Sequence, residues 1–256
     1  MSKSQYKNAL VTGGARRIGG AIARDLAADG WSVAVHFQKS AEEATSVVKD
    51  IRADGGSAVA IQADLSQDSV PQTLISEAAN KIGALTCLIN NASVFESDTI
   101  ETATPESWDR HLKTNLQAPF FLSQRFSEML PEGVKGGIIN LLDQRVWNLT
   151  PYFASYTVSK SGLWTLTQSL ALALAPRIRV NAIGPGPALP SPRQSPEQFA
   201  EQCTKTPLSC GTTPEEICAA VRFILSSPSM TGQMIALDGG QHLGWTQPSD
   251  DDVPFE

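Results

Sequence analysis

What this 256-residue chain lacks narrows its function first. No stretch approaches the roughly 18 consecutive apolar residues needed to cross a bilayer, so no membrane span is expected. The opening residues, Met1 to Asn8, are polar and short, without the apolar segment a secretory signal needs, so none is expected. A basic excess is missing too: the formal net charge of −6 argues against nucleic acid as the main partner. The four cysteines (Cys87, Cys203, Cys210, Cys218) form no CxxC pair, and the three histidines (His36, His111, His242) are scattered. Reduced thiols in a cytoplasmic protein, and no metal site, are the expectation. Charged residues are sparse at 18% against 41% apolar, which excludes a disordered chain and supplies a sizeable core.

Apolar runs of strand type alternate with amphipathic stretches along nearly the whole length. Strands are expected at Ala9–Val11, Trp31–Phe37, Ala58–Gln62, Leu85–Asn90, Gly137–Leu142, Arg179–Ile183 and Gln233–Leu237. Helices are expected from about Ile18 to Ala28, over Ser40–Arg52, up to about Lys81, and over Thr114–Leu130 and Phe153–Ala173. Ser40 with Glu43 three residues on reads as a capping pair. Strands separated by helices imply right-handed crossovers and a doubly wound parallel α/β sheet of about seven strands, with helices on both faces. No linker interrupts this pattern, so residues 1–247 read as a single domain with an acidic tail at 248–256. The segment 184–211, rich in Pro and Ser, is too long for an ordinary connection and reads as a loop over a binding site.

Thr12 to Gly20 follows the first strand and opens a helix, where a dinucleotide loop belongs, with Gly13 and Gly19 spaced more widely than GxGxxG. Glycines there let the backbone approach a pyrophosphate, and the helix N-terminus offers unpaired N–H groups. One further absence selects the cofactor. The end of the second strand, His36-Phe37-Gln38-Lys39-Ser40, holds no acid to take up both ribose hydroxyls. Arg16, Lys39 and Ser40 are suited to a 2′-phosphate and Arg17 to the diphosphate or the substrate, so NADPH is expected rather than NADH.

Tyr156 and Lys160 stand four residues apart in a helical stretch, and so share a face. A neighbouring ammonium favours the phenolate, drawing a tyrosine down from its usual pKa of about 10 and fitting it to give a proton to an atom near one receiving hydride.

With these motifs in order, residues 7 to 244 resemble the short-chain dehydrogenase/reductase family. The further markers are Asp64, Asn90-Asn91-Ala92, Asn115, and Asn181 followed by Pro185-Gly186. The resemblance implies a Rossmann-type fold in a homotetramer. It also implies cofactor contacts from Gly13, Arg16, Arg17, Ile18, Gly19, His36, Phe37, Lys39, Ser40, Asp64 and Leu65. Asn91, Ala92, Ser93, Tyr156, Lys160, Pro185 and Gly186 complete that set. Tyr156 and Lys160 would be catalytic, with Asn115 supporting a water-linked proton path.

Thirteen residues before Tyr156, where the family's serine is usual, stands Asp143. A serine hydroxyl suits a carbonyl oxygen, whereas a carboxyl beside the tyrosine suits protonation of a ring nitrogen. This departure resembles the pteridine reductase branch and the related bacterial dihydromonapterin, or alternative dihydrofolate, reductases. The Arg16-Arg17 pair, His36, the run Asn91 to Phe95 and the ending Leu237 to Leu243 agree with it. The branch implies Phe95 stacked on a pterin, worth about 1 kcal/mol beyond area burial. Arg17, Ser93, Asp143 and Tyr156 would meet its polar edge. Trp147 and Trp245 are candidates for the pocket wall, with plain packing the simpler reading. Two other readings remain: a reductase of a ketone such as a 3-oxoacyl thioester or a sugar, and a non-catalytic NADP(H)-binding protein.

Overall fold

The computed structural model describes residues 6–191 and 193–244; Pro192, Trp245 and the 248–256 tail lie outside the described residues. Seven parallel strands form one sheet in the order β3-β2-β1-β4-β5-β6-β7. They are β1 (Asn8–Val11), β2 (Ser32–Phe37), β3 (Ser57–Gln62), β4 (Cys87–Asn90), β5 (Gly136–Leu141), β6 (Ile178–Pro185) and β7 (Met234–Leu237). The helices are α1 (Arg17–Ala28), α2 (Ala41–Ala53), α3 (Val70–Ile82), α4 (Pro105–Leu112), α5 (Ala118–Met129), α6 (Ala154–Leu174), α7 (Pro196–Thr204) and α8 (Pro214–Ser226). This is the doubly wound Rossmann-type architecture that the alternating pattern implies.

Alternation along each strand divides the core. Ala9, Val11, Val33, Val35 and Ile89 face α1, α2 and α8, where they meet Ile22, Leu26, Val47, Ile51 and Val221. Leu10, Ala34, Leu88 and Ile138 face α3, α5 and α6, and pack on Leu74, Ile75, Leu122 and Phe126. Both faces are covered, which is why these strands read as continuous apolar runs. The strand order reverses between β1 and β4, and the crevice beyond their carboxyl ends is where such sheets bind ligands. Among the described residues, no helix is long and apolar enough to cross a membrane.

Four expectations change. Ser40 precedes α2 without a side-chain cap bond, because its backbone (φ −89, ψ 61) is not in the extended conformation a capping residue adopts, and Glu43 turns to Arg16 at 3.5 Å. The stretch 114–130 is not one α-helix: a π-helical segment, Lys113–Gln117, separates α4 from α5. The 184–211 segment is not all loop, since β6 runs on to Pro185 and α7 lies within it. Lastly, α4 and α8 add to the helices expected. These two and α7 start alike: a Thr or Ser caps, a Pro follows, and the cap closes reciprocally with the residue three on, in Thr104/Ser107, Ser195/Gln198 and Thr213/Glu216.

Candidate active site

Two connected depressions lie over the carboxyl ends of the strands. A long groove of about 740 Å³ runs between the glycine loop, the end of β2 and the turns after β3 and β4. Gly13, Arg16 to Gly19, His36 to Ser40, Asp64, Leu65 and Asn91 to Ser93 line it. The structure therefore gathers residues from four separate turns into one wall. The second depression, about 260 Å³, is bounded by Phe95, Asp143, Arg145, Tyr156 and Lys160, with Pro185 and Gly186 on its floor. Arg17, Ile18, Asn91 and Ser93 border both.

The glycine loop is shaped by close approach. Gly13 has φ +61, and a Cβ on Gly19 would stand 2.2 Å from the Gly13 carbonyl oxygen and 2.4 Å from the Asn91 amide nitrogen. The Asn91 Nδ2 donates to the carbonyls of Thr12 (2.8 Å) and Gly13 (3.1 Å), tying the β4 turn to the β1 turn. His36 braces the same loop from β2. Its Nδ1 accepts the Gly13 N–H at 3.1 Å, so the ring proton sits on Nε2, which donates to the Ala63 carbonyl at 3.1 Å. Burial keeps this ring neutral, with its pKa lowered to about 4 despite the Ala63 bond and the charge of Asp64. The Asn91 amide nitrogen and both His36 ring nitrogens thus hold the loop.

The first turn of α1 carries no acidic residue and no side-chain cap, which leaves its N–H groups for an anion. Arg16 is half paired with Glu43 across open water, a weak bond that a phosphate can outcompete. Groove length, glycine cradle and free helix end together fit a dinucleotide. Lys39 and Ser40, in a groove wall whose carboxylates are Asp64 and Glu96, fit an added phosphate. The Asp64 carboxylate itself accepts from the Ser66 N–H (3.0 Å) and hydroxyl (2.8 Å).

In the second depression the Tyr156 hydroxyl donates to Asp143 Oδ2 at 2.9 Å. The other Asp143 oxygen accepts the Arg145 N–H at 2.8 Å, and the Arg145 guanidinium lies 3.5 Å from Oδ2. Lys160, buried under the phenol, donates to the Leu141 carbonyl at 2.8 Å. Desolvation lowers its pKa to about 8, against the pull of Asp143. Phe95 stacks on Phe153 at 4.6 Å and meets Tyr156 edge-on at 4.7 Å. Arg145, which no sequence motif marks, lays its guanidinium over both phenylalanine rings, at 4.9 Å from Phe153 and 5.6 Å from Phe95. Only its closeness to Asp143 in sequence could have flagged it.

Three other positions differ from a simple lining role. Arg17 borders the cavity but donates to the carbonyls of Pro190 (2.7 Å) and Leu189 (3.1 Å), fastening the glycine loop to the segment ahead of α7. Asn115, in the π-helical segment, spends its amide on the Val94 backbone and the Ser159 hydroxyl. Trp147 lies outside the cavity wall, edge-on to Trp164 and His242.

Residues 13–242 match the family model described as enoyl-(acyl carrier protein) reductase. The chain belongs to the short-chain dehydrogenase/reductase family. It is an oxidoreductase by that membership. Among solved structures, the alternative dihydrofolate reductase 1, FolM, of Brucella canis, complexed with NADP, is 47% identical with a TM-score of 0.92, over 96% of this chain and 98% of that one. An uncharacterized oxidoreductase of Methylorubrum extorquens is 37% identical over 94% of this chain and 99% of its own. The 3-oxoacyl-[acyl-carrier-protein] reductase FabG of Staphylococcus aureus is 34% identical, covering 93% and 98%.

Proposed function

We propose that this oxidoreductase uses NADPH to reduce a C=N bond of a pterin or dihydrofolate. The observation that carries the reading is Asp143 accepting the Tyr156 hydroxyl at 2.9 Å, at the position where a ketone reductase of this family places serine. The likeness to a FolM structure holding NADP supports both the cofactor and the substrate class.

When bound, NADPH supplies the hydride that goes to the carbon of the C=N bond; the chain supplies the proton for its nitrogen. Tyr156 gives that proton, and Asp143, bonded to the same hydroxyl, relays or positions it. Lys160 sits 5.7 Å from the Tyr156 ring centroid, where its charge supports the phenolate left behind and its N–H groups can meet the ribose. Arg145 holds Asp143 through its backbone N–H on one carboxylate oxygen and its guanidinium near the other. Phe95 offers a flat partner for a bicyclic ring, with Ser93 and Arg17 toward its polar edge. A cytoplasmic homotetramer belongs to the same reading, supported by the unpaired thiols and by exposed Phe120, Val158 and Leu172 on α5 and α6.

The relationship to FabG favours one alternative, reduction of a 3-oxoacyl thioester. A panel of dihydrobiopterin, dihydrofolate and acetoacetyl thioester, each with NADPH and NADH, separates the two by loss of reduced-nicotinamide absorbance. Turnover of the pterins with NADPH is the expected result; turnover of the thioester alone overturns the proposal.

A further inference from the structure

Behind Tyr156 lies a buried polar chain that touches neither depression. Asp98, His111 and Ser155 are at most 3% exposed and come from three elements: the turn after β4, α4 and the first turn of α6. The backbone N–H of Glu96 donates to His111 Nε2 at 3.1 Å. That nitrogen is therefore unprotonated, so the proton sits on Nδ1 and is donated to the Ser155 hydroxyl at 2.7 Å. Ser155 in turn has only its own proton to give, and gives it to Asp98 Oδ2. In this arrangement the imidazole is neutral, in line with burial lowering its pKa.

The same carboxylate begins the helix that carries Tyr156. Phe153, the residue ahead of α6, has φ 57 and no side-chain cap of its own. Asp98 caps the helix from another part of the chain: its Oδ1 accepts the Ser155 N–H at 3.0 Å, and its carbonyl accepts the Ala154 N–H at 3.2 Å. Ser107 on α4 donates to Asp98 Oδ2 at 3.1 Å. Burial pushes the Asp98 carboxyl up, but the bonds from Ser155 and Ser107 outweigh it and hold it below the usual carboxylate range.

We propose that Asp98, Ser155 and His111 are positioning residues for proton delivery, fixing Tyr156 and Phe95 in one relation across the cavity. Ser155 is the residue before Tyr156, and His111 holds Glu96, the residue after Phe95. The Phe95 ring stacks on Phe153 and meets the edge of Tyr156, so one network bears on both walls. Burying three polar side chains is costly compared with an apolar contact of the same shape. The left-handed Phe153 adds strain that surrounding structure must hold. A helix that needed only a start would use a local cap, as α4, α7 and α8 do.

The inference rests on Tyr156 as proton donor, and the test keeps the two apart. Tyr156→Phe and Ser155→Ala are each assayed with whichever substrate the native enzyme reduces, and NADPH binding is titrated by fluorescence. If Tyr156→Phe retains native turnover, the donor reading fails. If it is inactive, Ser155→Ala is expected to lose about tenfold to a hundredfold in kcat, the size of effect a small misplacement brings. NADPH affinity should stay native, and the pH profile of kcat should be displaced. A Ser155→Ala protein with lowered Tm but native kcat and a superimposable pH profile overturns the positioning role. His111→Gln, which can still accept from Glu96 N–H but breaks the bond to Ser155, is read by the same two outcomes should Ser155→Ala fail to fold.

Discussion

The long groove and the smaller cavity are built on different terms. The groove wall is made of the turns at the ends of β1 to β4, locked by close backbone approach and by side chains bonded to backbone: Gly19 against Gly13, Asn91 against Thr12 and Gly13, His36 against Gly13 and Ala63. The bonds that shape it lie within the protein. The cavity is instead closed by long side chains reaching across to loop carbonyls, as Arg17 reaches Pro190 and Arg193 reaches the Phe95 carbonyl at 3.1 Å. Such a division lets one family keep a dinucleotide site while the reacting group varies. A rigid groove should fail through binding, and a composite cavity through turnover.

The largest expected effect strikes the cavity. Tyr156→Phe should lower kcat by about a thousandfold, the scale of general acid catalysis, while the NADPH dissociation constant stays native. A parallel loss of cofactor binding would break the separation. Next in size is the acid response of the groove. His36 binds its proton near pH 4 in the fold and near 6.5 unfolded, so the unfolded chain takes up protons first as pH falls. Stability is full above about 6.5 and declines down to about 4, by roughly 3 kcal/mol. Urea unfolding across that window should show this slope, and His36→Gln should flatten it.

Gly19→Ala should weaken NADPH binding by about thirtyfold, because its methyl meets backbone that cannot yield and overpacking of this kind costs about 2 kcal/mol. Native affinity in that variant would mean the loop is softer than its bracing implies. The smallest effect belongs to the open end of the groove. Lys39→Glu should cut the preference for NADPH over NADH by about tenfold, the modest scale of an exposed charge. Unchanged preference would assign the phosphate to Arg16 and Ser40 alone.

The same division governs what could be read in the sequence. Strands such as Leu10–Val11 and Leu88–Ile89 are legible because both sheet faces are covered and the runs stay apolar. Gly13, Gly19, Tyr156 and Lys160 are legible because their work depends on spacing within one turn or one helix. Ser40 misled because a capping residue type forms a cap only if the local backbone and its partner allow it, and Glu43 has Arg16 instead. The starts of α4, α7 and α8 were written in Thr-Pro-Glu and Ser-Pro-Glu, which read as loop by composition and as helix by position. The π-helical segment broke a 3.6-residue pattern from within. Arg145 over Phe95 and Asp98 capping α6 follow from tertiary packing, which no local pattern encodes.

Most directly at stake is the Asp143 carboxylate on the Tyr156 hydroxyl. Asp143→Ser, assayed on dihydrobiopterin and on acetoacetyl thioester with the NADPH dissociation constant measured alongside, addresses it. Pterin turnover should fall by about a hundredfold with native cofactor affinity and no matching loss on the thioester. Equal losses in pterin turnover and NADPH affinity would make Asp143 a structural acid and contradict the proposed chemistry.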